Sequence, residues 1–105
     1  MKWHKTLTLE HWQQFRIDKQ VLMIANETNR AYHWVKKGDK KLASSSLERA
    51  LELLDLTVAD RRWQGRQLPL LRLREKIAQN YNNLLTGLGS YQDDTQRLVD
   101  LTKYL

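Results

Sequence analysis

Residues 17–58 read IDKQVLMIANETNRAYHWVKKGDKKLASSSLERALELLDLTV, and this stretch decides the fold class. Ile17, Val21, Ile24, Thr28, Ala31 and Val35 recur at spacings of 4, 3, 4, 3 and 4. That period keeps them on one face of a helix. Thr8 is a possible N-cap upstream, and Gly38 is a natural stop after Lys36 and Lys37. The expected first helix, 9–37, would be about 43 Å long. Asp39 then caps a second helix reaching about Asp60. Its main apolar line is Ala43, Leu47, Ala50, Leu54, Thr57 and Val58, with Leu42, Leu53 and Leu56 on a second line. Two apolar lines imply that this helix touches two neighbours.

Downstream, 61–68 reads as a loop, and Pro69 suits the first turn of a third helix. Leu70, Leu73, Ile77, Tyr81, Leu84 and Leu88 follow at helical spacing, and Gly87 and Gly89 end the segment. A short last helix over 91–103 would turn Tyr91, Thr95, Leu98, Thr102 and Leu105 inward. No stretch alternates with the period of a strand. The expectation is an all-α, single-domain (1–105), four-helix up-down-up-down bundle with a long first helix. That topology gathers the 61–68 loop, His4, His11, Trp12 and Tyr104 at one end.

The chain has 105 residues, no cysteine, and 29% charged residues. One globular domain fits that length and composition. The longest unbroken apolar run, Val21–Ala25, is far short of a membrane span. Residues 1–10 lack the apolar run of a signal peptide. A cysteine-free chain excludes disulfides and thiol chemistry and suits the cytoplasm.

The net charge of +6 is unevenly placed. Residues 61–76, RRWQGRQLPLLRLREK, hold six basic residues against Glu75, so they carry +5 of it. Concentrated basic charge points to an acidic partner, a nucleic acid, an acidic protein surface or anionic lipid, or serves solubility alone. Arg61, Arg62, Trp63, Arg66, Arg72 and Lys76 are the candidate contacts. Trp63 among arginines either stacks on an unpaired base or folds back as a plug over the core. On a straight first helix, Trp12, Met23 and Trp34 share a side opposite the Ile17–Val35 stripe, with Phe15 and Leu22 leaning the same way. Either a wide core covers that side, or a protein partner or second copy does.

No chemical constellation accompanies these residues. The phosphate-cradling glycine motifs and HExxH are absent. Glu48, Glu52 and Asp55 read as a solvated acidic face, and Ser44–Ser46 lack the glycines of a nucleophile elbow. No enzymatic activity, cofactor, metal or small-molecule substrate is expected.

The stretch Tyr32–Leu54 resembles a tetratricopeptide-type hairpin at Trp34, Gly38-Asp39, Ala43, Leu47 and Ala50–Leu53. Glu27 and Arg30 stand where that repeat keeps Trp and Leu, and no second copy follows. The same hairpin resembles the HEPN family in its long first helix, Gly-Asp turn and amphipathic second helix. That resemblance implies a small helical bundle in a toxin–antitoxin setting. HEPN ribonucleases carry an arginine followed a few residues later by histidine. Here Arg30-Ala-Tyr-His33 is the nearest approach, so no catalytic residue carries over.

Overall fold

Thr8 caps the first helix as expected, its Oγ1 accepting from the His11 N–H at 3.1 Å. Yet this helix, α1, is only Leu9–Trp12. A computed structural model describes residues 7–103 and 105. Among them the architecture is all-α, with α2 (Ile17–Lys36), α3 (Lys40–Val58), α4 (Gln67–Thr86) and α5 (Thr95–Thr102) following α1. A 3-10 turn, Arg61–Trp63, precedes α4.

The expected helix 9–37 is therefore two helices. Residues 13–16 form a corner, with Arg16 in extended backbone (φ −62°, ψ 152°). No proline or glycine stands there; the cause is tertiary. The corner swings Trp12 into the core, where it is fully buried and its Nε1–H donates to Thr57 Oγ1 at 3.0 Å. Burying a large aromatic contributes about 3 kcal/mol. Turn hydrogen bonds from Gln14 and Phe15 to the carbonyls of His11 and Trp12 limit what the corner costs.

The hairpin at the centre matches its sequence pattern. Lys37–Asp39 connect α2 to α3. Gly38 takes φ +76°, a left-handed conformation that favours glycine. Asp39 accepts from the Leu42 N–H at 3.0 Å. Val21, Ile24, Thr28 and Ala31 of α2 are buried with Ala43, Leu47, Ala50, Leu54 and Thr57 of α3. As its two apolar lines imply, α3 packs on both α2 and α4. Leu70, Leu73 and Ile77 supply the α4 side of this core.

Charge ties the same helices. Glu27, nearly buried, receives Arg49 of α3 at 3.0 Å and Arg30 of its own helix at 2.7 Å. Asp55, one of the three residues of the expected acidic face, pairs across to Arg74 of α4 at 2.7 Å.

The last segment departs most. Here α5 starts at Thr95, not 91, and packs on α4 and α2. Leu101 is its buried residue, whereas Thr95, Thr102 and Leu105, expected inside, are exposed. Leu88 is also exposed rather than inward. Asn80, fully buried on α4, fixes the approach to α5. Its Nδ2 donates to the Gln92 carbonyl at 2.9 Å and its Oδ1 accepts the Gln92 N–H at 2.8 Å. No helix is long and apolar enough to cross a membrane among the described residues.

Candidate functional site

Two neighbours in sequence, Arg62 and Trp63, are held in place by one buried acid, Asp60. As N-cap of the 3-10 turn, Asp60 accepts the Arg62 N–H at 3.0 Å. The Arg62 guanidinium closes on both its carboxylate oxygens, Nε to Oδ1 at 3.2 Å and Nη2 to Oδ2 at 2.8 Å. Gln20 of α2 adds a bond to Oδ2 at 2.9 Å. Burial pushes the Asp60 carboxyl up, but the bonds from Arg62 and Gln20 outweigh it and hold it below the ordinary carboxylate value.

Gln20 is the hub of this end. Its Nε2 also donates to the Trp12 carbonyl at 2.9 Å, and its Oε1 accepts the Trp63 Nε1–H at 3.0 Å. Trp63 is fully buried. It is the plug over the core, and its ring offers no face to an unpaired base. Of the residues expected to contact an acidic partner, Trp63 is thus removed and Arg62 is partly neutralised.

The remaining basic residues divide between two places. Arg61 and Arg66 are exposed around the 3-10 turn. Beside them a shallow cavity of about 410 Å³ is lined by Arg16, Ile17, Asp18, Arg62 and Leu105. Arg72 and Lys76 lie one turn apart on α4, and α5 brings Arg97 alongside them. With Glu75 and Gln79 they line a polar depression of about 260 Å³. Arg72 makes no ion pair among the described residues. Lys76 Nζ donates to Gln92 Oε1 at 2.6 Å, and Arg97 stands 3.8 Å from Asp100. Sequence reasoning missed Arg97 because it stands alone in the chain. Only the packing of α5 beside the Arg72–Lys76 ridge brings it in.

The expected aromatic face of the first helix does not form. Trp12 is core, and Phe15 packs half-buried against it with rings 5.7 Å apart. Met23 packs against the core, and Trp34 is half-buried with its edge toward His33. Leu22 alone of the five is exposed. The corner at 13–16 rotates Trp12 and Phe15 away from the line a straight helix would give them. His4 and Tyr104, expected near the arginine loop, lie outside the described residues.

Apolar exposure on α4 falls at Leu68 and Leu71 at its start, Leu68 one turn before Arg72, and separately at Leu85 near its end. Among the described residues no group of three His, Asp or Glu side chains is placed to hold a metal ion. Family models, curated proteins and solved structures contain no match to this chain.

Proposed function

We propose that this protein is a small, non-enzymatic, cytoplasmic interaction module, its four longer helices in up-down-up-down order, that binds an acidic protein segment. The contact surface is the ridge of Arg72, Lys76 and Arg97 with Leu68 and Leu71 beside it. The gathering of these three cations around one polar depression, from two different helices, carries the reading. Arginine beside exposed leucine suits a protein interface, where an apolar centre is rimmed by charge. Burial of Trp63 weighs against single-strand recognition, which needs an aromatic platform as well as charge.

The alternative is nucleic-acid binding by Arg61, Arg62, Arg66, Arg72 and Lys76 through phosphate contacts alone, in a HEPN-like setting. The exposure of Arg61, Arg66 and Arg72 favours it. Phosphate contacts release counterions, so such binding falls steeply between about 50 and 200 mM salt. The test is a titration with an Asp/Glu-rich peptide carrying leucines, using wild type and an Arg72→Ala/Lys76→Ala/Arg97→Ala variant. The proposal expects saturable peptide binding that the triple variant loses. Equal binding by both proteins would end it.

A further inference from the structure

Among the described residues, two buried polar atoms have no hydrogen-bond partner, the Tyr91 hydroxyl and Asp94 Oδ2. Both residues line the same cavity of about 300 Å³, together with Asn29 and Tyr32 of α2, Asp93 and Thr95. Buried polar atoms without partners are uncommon, and each asks for an explanation such as an absent ligand. Asp94 is only 7% exposed, so bulk water does not supply the missing bond freely.

The walls say what kind of ligand would. Tyr32 and Tyr91 present two rings with centroids 5.9 Å apart, tilted by 39°. Asp93 and Asp94 supply two carboxylates, and among the described residues the lining contains no cation. Aromatic faces and carboxylates both attract positive charge. Tyr32 already shows that preference, since Lys36 Nζ sits 4.6 Å from its ring centroid. A metal ion asks for more oxygen ligands than two carboxylates and gains little from tyrosine rings. A cavity of about 300 Å³ is at the small end of ligand sites, and an alkylammonium or alkylguanidinium group fits that size.

The site is also built in advance. Asn80 clamps Gln92 from both sides, and Asn83 Nδ2 donates to the Ser90 carbonyl at 3.2 Å. Asp93 Oδ1 is fixed by the Thr95 N–H at 2.9 Å and the Thr95 hydroxyl at 2.6 Å. Those two bonds hold the Asp93 carboxyl below its ordinary range, so it stays charged. Burial drives Asp94 the other way, a penalty that a bound cation would relieve.

We infer that the cavity between α2 and the 91–95 segment is a binding site for an organic cation, an alkylammonium or alkylguanidinium group held by Asp94, Asp93 and the Tyr32 and Tyr91 rings. It uses other residues than the basic ridge and has the opposite charge, with Lys76 of the ridge near enough to act on Asp94. The group is either a free small amine or a lysine or arginine side chain of a partner.

The test is a titration followed by aromatic and backbone NMR shifts. The probes are n-butylammonium, n-butylguanidinium, acetyl-Gly-Lys-Gly-amide and uncharged n-butanol. The expected result is saturable shifts at Asn29, Tyr32, Tyr91 and residues 93–95 with cations and none with butanol. Asp94→Asn and Tyr32→Leu should each weaken cation binding about tenfold. Tyr32 is half exposed, so its variant keeps the fold and carries the test even if the Asp94 variant does not. Tighter binding of the lysine peptide than of butylammonium assigns the site to a partner side chain, and the reverse assigns it to a free amine. Absence of saturable shifts with every cation, equal shifts with butanol, or unchanged affinity in Tyr32→Leu would overturn the inference.

Discussion

Trp63 and Tyr91 are both aromatic side chains with a polar atom that the fold hides, and those two atoms meet opposite fates. The Trp63 Nε1–H finds Gln20, which in turn serves Trp12 and Asp60. Among the described residues the Tyr91 hydroxyl finds no partner, and neither does Oδ2 of Asp94, a residue lining the same cavity. A buried polar cluster in which each group is matched is a structural joint. One with unmatched atoms next to open space is a place for something else to bind. The arginine–tryptophan segment looks like a binding motif in sequence and is mostly a joint. The 91–95 segment reads in sequence as the start of the last helix and is the unfinished region.

The sharpest way to break this contrast is to remove the plug. Trp63→Ala should destabilise the fold by about 3–5 kcal/mol, as for other buried aromatics, measured by urea denaturation. A loss below about 1 kcal/mol, typical of surface changes, would mean that Trp63 is not core. Next in size is Gln20→Leu. It removes the partner of the Trp63 indole N–H and takes one bond each from the Trp12 carbonyl and Asp60 Oδ2, which keep Phe15 and Arg62, and a stranded group costs about 1–3 kcal/mol. We expect a total loss of about 3 kcal/mol, because relaxation recovers some partners.

The two acids sharpen the contrast through pH. Asp60 is held below the ordinary value of 3.8, so its contribution is full above that value and disappears as pH falls through its lower folded value. Asp94 is raised, first by burial, so stability increases as pH falls through its raised folded value towards 3.8. Asp60→Asn should therefore lower Tm at neutral pH and converge on wild type in acid. Asp94→Asn should leave Tm unchanged or raise it at neutral pH, with that gain vanishing below about pH 4. Parallel pH curves for the two variants would erase the distinction between joint and open site. Smallest of all, the Arg72→Ala/Lys76→Ala/Arg97→Ala variant should change stability by less than about 0.5 kcal/mol per site. Arg72 is exposed, and Lys76 and Arg97 are half-buried with only the surface partners Gln92 and Asp100, so a larger loss would assign them to the fold rather than to a partner.

The α2–α3 hairpin was legible because its signals are local: a period-3.6 stripe, a glycine at φ +76° and an aspartate cap. The corner at 13–16 was not, because nothing in Gln13–Arg16 marks it. Trp12 is drawn inward by Thr57, 45 residues away, and a helical wheel cannot see that contact. The candidate ridge was half legible. Arg72 and Lys76 share a helix face, but Arg97 joins them only through docking of α5. Tyr91 is expected to face inward from its spacing, and Asp94 occupies the cap position before α5. Their unmatched atoms depend on how α5 rests on α2 and α4, which no local pattern encodes.

The central claim is that the surplus charge serves an acidic protein segment through the α4–α5 ridge, not a nucleic acid through the loop. The most direct test is a competition at low salt between the acidic leucine-containing peptide and a single-stranded RNA of equal net charge. The account predicts that the peptide binds more tightly and that the Arg72→Ala/Lys76→Ala/Arg97→Ala variant loses it. RNA that displaces the peptide and still binds the triple variant would contradict it.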